Sequence, residues 1–233
     1  MLLSIPSFYP ILDASTLSQN PVMRSFELES RIRALVEAGV KILQYRNKQG
    51  RPAQVVAEAR AIRACAGSAM QLILNDYVSL VEDCGFDGVH LGQGDLPVEQ
   101  ARAMLGDHRI LGLSTHNPAQ AAVAEALPID YLAIGPVFAT SSKANAEPVV
   151  GLAGVSAVRS QTSKPLVAIG GITVENARSV RQAGADAVAV ISAVFGNSEG
   201  FSALSHPSAC ADSEATSEGI KKRVAEFLHI LQQ

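Results

Sequence analysis

Gln182-Ala-Gly-Ala-Asp-Ala-Val-Ala-Val-Ile-Ser192 reads as the end of a helix, a turn and a buried strand within eleven residues. Gly184 can supply the left-handed cap that stops the amphipathic pattern of Val174–Ala183. The run Ala187–Ser192 that follows is short, apolar and rich in β-branched residues, and it ends in a hydroxyl. The same phrase, a helix stopping at glycine and a strand starting, occurs at Glu37-Ala-Gly-Val40 and at Asp83-Cys-Gly-Phe-Asp-Gly-Val89. It is too short to call a sequence repeat, yet it supports a repeated αβ unit.

The chain contains eight apolar runs: Tyr9–Asp13, Val40–Arg46, Gln71–Asp76, Gly88–Leu91, Ile110–Thr115, Tyr131–Gly135, Leu166–Gly170 and Ala187–Ser192. Helical patterns lie between them at Leu28–Ala38, Ala53–Cys65, Val98–Leu105, Pro118–Ala126 and Val174–Ala183. Alternation of this kind is expected when each parallel strand is followed by a crossover helix. An open doubly wound sheet would use the same parts, but no G-x-G-x-x-G follows the first strand. The expectation is an α/β fold, a single (β/α)8 TIM barrel.

Composition narrows the function. The chain has 233 residues, 48% hydrophobic and 18% charged, which suits one barrel domain over residues 1–233. A net charge of −3 provides no global field for nucleic acid or an anionic membrane, so any anionic ligand must be held by local design. Aromatic residues are 5% with no Trp, which argues against a stacking platform for single strands. Met1 to Pro10 has no basic start and is broken by Pro6 and Pro10, so it reads as neither a signal peptide nor an anchor. Cys65, Cys84 and Cys210 are an odd number without metal-ligand spacing, and a reducing cytoplasm fits them. The Ser/Ala-rich stretch at about 196–219 reads as a loop before a last helix, Ile220–Leu231, with Val224, Phe227, Leu228 and Leu231 on one face.

In such barrels the C-terminal ends of the strands face the active site. Strand two ends in Gln44-Tyr45-Arg46-Asn47-Lys48, where alternation sends Gln44, Arg46 and Lys48 to one side; a solvated basic loop is the competing reading. Strand three ends in Asn75-Asp76, and Asp95 follows strand four. Paired carboxylates on neighbouring loops suit Mg²⁺, although Asp76 as a helix cap and Asp95 as a turn support are open alternatives. Strand five ends in Ser114-Thr115-His116, where the histidine is either an acid/base or a structural group. The loop after strand six carries Thr140, Ser142 and Lys143 and has the length of a lid. Gly170-Gly171 after strand seven and Ser192 after strand eight occupy the usual phosphate site of barrels. These signals predict a monophosphate site near strands seven and eight, and a metal-bound polyphosphate near strands two to four, with Arg46, Lys48, Lys143 and Mg²⁺ stabilising a departing pyrophosphate.

As an ordered set, Gln44-Tyr-Arg-Asn-Lys48, Asn75-Asp76, Asp-Gly-Val-His-Leu-Gly-Gln-Gly-Asp95, Ser114-Thr-His, Gly-Pro-Val-Phe-Ala-Thr140-Ser-Ser-Lys143, Gly171 and Ile191-Ser192 resemble the thiamine-phosphate synthase family over roughly residues 8 to 195. The resemblance implies joining of 4-amino-5-hydroxymethyl-2-methylpyrimidine diphosphate to a thiazole phosphate, usually the carboxylated form, through a pyrimidine carbocation. It implies that Gln44, Arg46, Lys48, Asn75, Ser114 and Lys143 meet the pyrimidine diphosphate, with Arg46, Lys48, Ser114 and Lys143 the catalytic members. Asp76 and Asp95 would hold Mg²⁺, and Thr140, Ser142, Gly171, Ile191 and Ser192 would hold the thiazole phosphate. It also implies small-molecule substrates and a homodimer. Ser142 stands where the family usually has threonine, which keeps the hydroxyl and loses a methyl. Tyr45 replaces a usual aliphatic residue and by alternation points away from the site. The rivals are a thiazole tautomerase using His116, and a non-catalytic regulator that binds thiazole phosphate. Neither needs the set Arg46, Lys48, Asn75, Asp76, Asp95 and Lys143.

Overall fold

Period-two alternation sends the side chains of every strand to two different cores, one inside a closed sheet and one outside it. The computed structural model describes residues 4–140, 147–196 and 209–232, with side chains of the last helix described from residue 217. The strands are β1 (Phe8–Asp13), β2 (Ile42–Arg46), β3 (Gln71–Asn75), β4 (Gly88–Leu91), β5 (Ile110–Thr115), β6 (Tyr131–Ile134), β7 (Leu166–Ile169) and β8 (Ala187–Val190). All pair in parallel in chain order, and β8 closes onto β1 through Phe8 with Val188 and Tyr9 with Ala189. The (β/α)8 barrel expected from the sequence is therefore the fold.

The helices are α1 (Pro21–Glu37), α2 (Pro52–Ala66), α3 (Val81–Cys84), α4 (Val98–Leu105), α5 (Pro118–Glu125), α6 (Gly151–Arg159), α7 (Val174–Gln182), α8 (Ser192–Phe195) and α9 (Ala209–Leu231). Helix α1 begins seven residues before Leu28, where the apolar pattern starts. Its first turn is set by the Asn20 side chain, which accepts from Val22 N and Met23 N, and by Pro21 at the first helical position, while Val22 stays exposed. Helix α9 likewise starts at Ala209, inside the stretch read as loop; residues 197–208 of that stretch lie outside the described residues. It lies against α1, α7 and β1, burying Ile220, Val224 and Phe227, with Phe227 stacked on Phe8 at 5.1 Å.

The outer core lies between strands and helices and holds residues such as Leu12, Leu43, Tyr45, Leu74, Val89 and Leu132. The inner one, inside the barrel, is Tyr9, Ile11, Ile42, Ile73, Ile110, Tyr131, Ala133, Val167, Ala187 and Ala189. Gly112 belongs to this inner face: a Cβ there would lie 2.1 Å from Tyr131 Cζ, so the glycine makes the room that Tyr131 fills.

At the N-terminal ends of the strands one stitch occurs three times. Asp87 accepts from Leu72 N and pairs with Arg63; Asp130 accepts from Leu111 N and pairs with Arg102; Asp186 accepts from Leu166 N and pairs with Arg159. Each aspartate's own N–H donates back to the carbonyl of the same leucine. The recurrent helix–glycine–strand phrase thus has a physical cause. Gly39, Gly85 and Gly184 take positive φ where their helices end, and the aspartates two residues after Gly85 and Gly184 lock the next strand. Among the described residues no helix is long and apolar enough to cross a membrane.

Candidate active site

The inner face of the barrel is aliphatic at its base and polar at its C-terminal mouth. Gln44 and Arg46 follow Ile42 on β2 and share its face, and with Asn75, Ser114 and Ile191 they line a cavity of about 40 Å³ that opens at the mouth. Gln44 and Asn75 are buried. Arg46 is paired through Nη1 with Asp13 at the end of β1, a residue the sequence reading did not single out although it ends its strand as the others do. Asp13 Oδ1 also accepts from Ser15 N (2.9 Å), so the carboxylate is fixed before it fixes the guanidinium.

The basic end of β2 is anchored at Asn47, while Lys48 and Gln49 beyond it are exposed. Asn47 is buried, its Oδ1 accepts from Gly50 N (2.7 Å), and its Nδ2 donates to Tyr45 Oη and Glu58 Oε2 (3.1 Å each). Tyr45 faces outward and donates to Glu58, which also receives Arg24 (2.5 Å) and Gln54 (2.9 Å). Burial acts to raise the Glu58 carboxyl, and Arg24, Tyr45 and Gln54 outweigh it, so the group sits below its ordinary range. This cluster clamps the segment that presents Arg46 and Lys48. Both of these also line a polar cavity of about 320 Å³ with Asp13, Arg24 and Gly50.

Lys48 Nζ lies 2.8 Å from Asp76 Oδ2. Asp76 is the one non-glycine described residue with positive φ (69°), a conformation that costs of order 1–2 kcal/mol for an L-residue. That turn sets its carboxyl near that of Asp95: burial and the neighbouring Asp95 carboxylate push the Asp76 carboxyl up, against the pull of Lys48. Asp76 is not a helix cap, since the next helical turn, Val78–Leu80, receives no side-chain cap. Asp95 does support its turn, accepting from Gly92 N at 2.6 Å. No group of three or more His, Cys, Asp or Glu forms a ready metal cluster among the described residues. Two carboxylates pressed together, hard in donor type and short of positive charge, fit a divalent ion that takes its other ligands from water and a substrate phosphate.

On the other side of the mouth a cavity of about 390 Å³ is lined by Ser114, His116, Thr140, Gly171, Ile191 and Ser192 among others. Gly170 and Gly171 both have positive φ, and a Cβ on Gly171 would lie 2.5 Å from Ala139 O. The glycines therefore let the β6 loop run beside β7, where Val137 N and Phe138 N donate to Ile169 O and Gly170 O. Ser192 opens the short helix α8. His116 Nδ1 is 2.8 Å from Gly135 O, so that nitrogen carries the proton and the ring is held by the β6 loop. Ser142 and Lys143 lie outside the described residues.

Ser114 and Ile191 line both this cavity and the inner one, so the two spaces meet there. Sequence reasoning missed what stands behind Ser114: His90 Nε2 is 2.8 Å from its Oγ, and His90 Nδ1 is 2.9 Å from Tyr131 Oη. The signal was in the alternation of Gly88-Val-His-Leu91, which puts His90 on the inner face.

A closed barrel with a cationic and acidic rim facing two connected cavities defines an enzyme that handles small phosphorylated molecules. Residues 13–194 match the family model described as thiamine monophosphate synthase. The chain is 50% identical over 189 residues to a thiamine-phosphate synthase of Koribacter versatilis, covering 81% of this chain and 89% of that one. It is 37% identical to one of Methanosarcina mazei over 233 residues, 100% of this chain and 85% of the relative. Among solved structures it is similar to a thiamine phosphate pyrophosphorylase from Pyrococcus furiosus, with a TM-score of 0.76, 28% identity and coverage of 97% and 95% of the two chains. The chain belongs to the thiamine monophosphate synthase family.

Proposed function

We propose that the chain is a thiamine-phosphate synthase, a transferase that joins the aminopyrimidine diphosphate to thiazole phosphate or its carboxylated form and releases pyrophosphate. The observation that carries this reading is the cluster of Lys48, Asp76 and Asp95 at the mouth of the cavity holding Gln44, Asn75 and Ser114. It supports a diphosphate at the rim with the pyrimidine ring below it. The thiazole phosphate then takes the larger cavity, against Thr140, Gly171, Ile191 and Ser192, with Ser142 added by resemblance alone, and by the same resemblance Lys143 meets the diphosphate.

The methylene–oxygen bond breaks and its electron pair leaves with pyrophosphate, while the aminopyrimidine spreads the positive charge. The thiazole nitrogen then closes the new carbon–nitrogen bond; from the carboxylated substrate CO₂ departs and one proton is gained at the ring carbon. Lys48 and Arg46 face the leaving group. Arg46 uses Nη1 on Asp13 and keeps the rest of its donor fork for phosphate oxygens. Asp76 and Asp95 would hold Mg²⁺, which when bound offsets the charge of the diphosphate oxygens. Such preorganised charges matter most where water is excluded. We place the protein in the cytoplasm, as one barrel domain over residues 1–233, acting as a homodimer.

The test supplies both substrates with Mg²⁺ and follows thiamine phosphate and pyrophosphate, with a chelator as control. Coupled formation of both products, abolished by chelator, is the expected outcome. Thiazole isomerisation without coupling would make the chain a tautomerase, and binding without turnover a regulator.

A further inference from the structure

Beneath the mouth, five polar side chains from five strands touch in a line. Gln44 of β2 donates its Nε2–H to Tyr9 Oη of β1 (3.3 Å), and the Tyr9 and Tyr131 hydroxyls share a hydrogen bond (3.0 Å). Tyr131 of β6 meets His90 Nδ1 of β4 (2.9 Å), and His90 Nε2 meets Ser114 Oγ of β5 (2.8 Å). Their neighbours in the barrel interior are aliphatic, and the Tyr131 ring is stacked against that of His90 at 5.5 Å.

Proton counting gives the line a direction. A phenol has one proton. Gln44 already donates to the Tyr9 oxygen, so the Tyr9 proton goes to Tyr131, and the Tyr131 proton goes to His90 Nδ1. A neutral imidazole that accepts at Nδ1 carries its proton on Nε2 and gives it to Ser114 Oγ. Ser114, having received, turns its own proton toward the cavity. The reverse order would set the Tyr9 proton against the Gln44 N–H, two donors face to face. Ionisation offers no escape, because burial pushes both phenols far above their ordinary range.

We propose that His90 is a positioning residue: held by Tyr131, Tyr9 and Gln44, it fixes the Ser114 hydroxyl as a hydrogen-bond donor to a ring-nitrogen acceptor of the bound substrate. The inference rests on the reading that Ser114 meets the aminopyrimidine. A freely turning hydroxyl accepts as readily as it donates. One held as a donor selects a ring that presents a lone pair there and rejects one that presents N–H.

The experiment is a set of double-mutant cycles on the full chain: Tyr131→Phe and His90→Leu, each alone and combined with Ser114→Ala, with the pyrimidine diphosphate and the thiazole phosphate varied in turn. Each single change lowers kcat/KM for the pyrimidine diphosphate by about 3- to 10-fold, the scale of one hydrogen bond, and leaves KM for the thiazole phosphate as it was. In the Ser114→Ala background each adds less than about 2-fold, because the group it acts through is gone. His90→Gln, which restores an N–H near the Nε2 position, recovers part of the loss. Tyr131→Phe keeps the ring and its packing, so it tests the line even where His90→Leu folds poorly. Losses that multiply in full with Ser114→Ala would overturn the relay while leaving the substrate contact intact. Full activity of Ser114→Ala by itself would instead remove the contact reading, and the relay with it.

Discussion

Asp76 concentrates the chemistry of the rim in one residue. It accepts a left-handed backbone, a neighbouring carboxylate and a lysine, and strain of this kind persists where the surroundings hold it in place. Asp76→Ala or Asp95→Ala should lower turnover about 10²-fold or more, the scale of removing one preorganised stabiliser, and steady-state assays across a Mg²⁺ titration check it. Gly112 is the opposite case, a residue that matters by having no side chain. Gly112→Ala forces a Cβ to within 2.5 Å of Tyr131 Oη, so a melting curve should show a loss of about 1–3 kcal/mol, with activity falling as Tyr131 is displaced. At this scale the sequence was informative where a residue ends a strand, as Gln44, Arg46, Asn75, Asp76 and Ser114 do. It was silent on Asp13 and His90, because their roles depend on partners 33 and 24 residues away, Arg46 and Ser114.

The segment from β2 to α2 shows how an element keeps a flexible cation in place. Glu58, on α2, gathers Arg24, Tyr45, Asn47 and Gln54, none of which faces the barrel interior. Glu58→Gln should raise KM for the pyrimidine diphosphate several-fold with little change for the thiazole phosphate, as loosening of the Arg46–Lys48 segment requires; initial-rate kinetics decide it. The same residue gives a pH dependence. Its carboxyl is lowered in the fold, so the stability it contributes is present above the unfolded glutamate value of about 4.3 and is lost as pH falls through the folded one. Melting temperatures followed downward from pH 5 should therefore fall less steeply for Glu58→Gln than for the parent chain. Periodicity located these elements well because each buries one apolar face. It misjudged the starts of α1 and α9: α1 begins in a turn set by its Asn20 cap and Pro21, before any apolar stripe exists, and α9 begins at Ala209, eleven residues before Ile220.

Across the whole molecule the barrel divides its labour between its two ends. Eight runs of apolar residues were enough to read the closed sheet, because a parallel strand buried on both faces must be apolar throughout. The stitches were not legible, since Arg63, Arg102 and Arg159 look like ordinary helix-surface charges until Asp87, Asp130 and Asp186 are placed beside them. Asp130→Ala strips the partner from Leu111 N, a backbone group in a buried strand, and should cost about 1–3 kcal/mol in thermal unfolding while leaving both KM values unchanged. Because the stitches lie at the strand starts and the chemistry at their ends, the free energies of changes at the two places should add. That makes the protein tolerant in a particular way: a rim substitution that reshapes substrate choice at the expense of stability can be offset at the base by reinforcing a stitch, and adaptation can proceed at one end of the barrel without renegotiating the other.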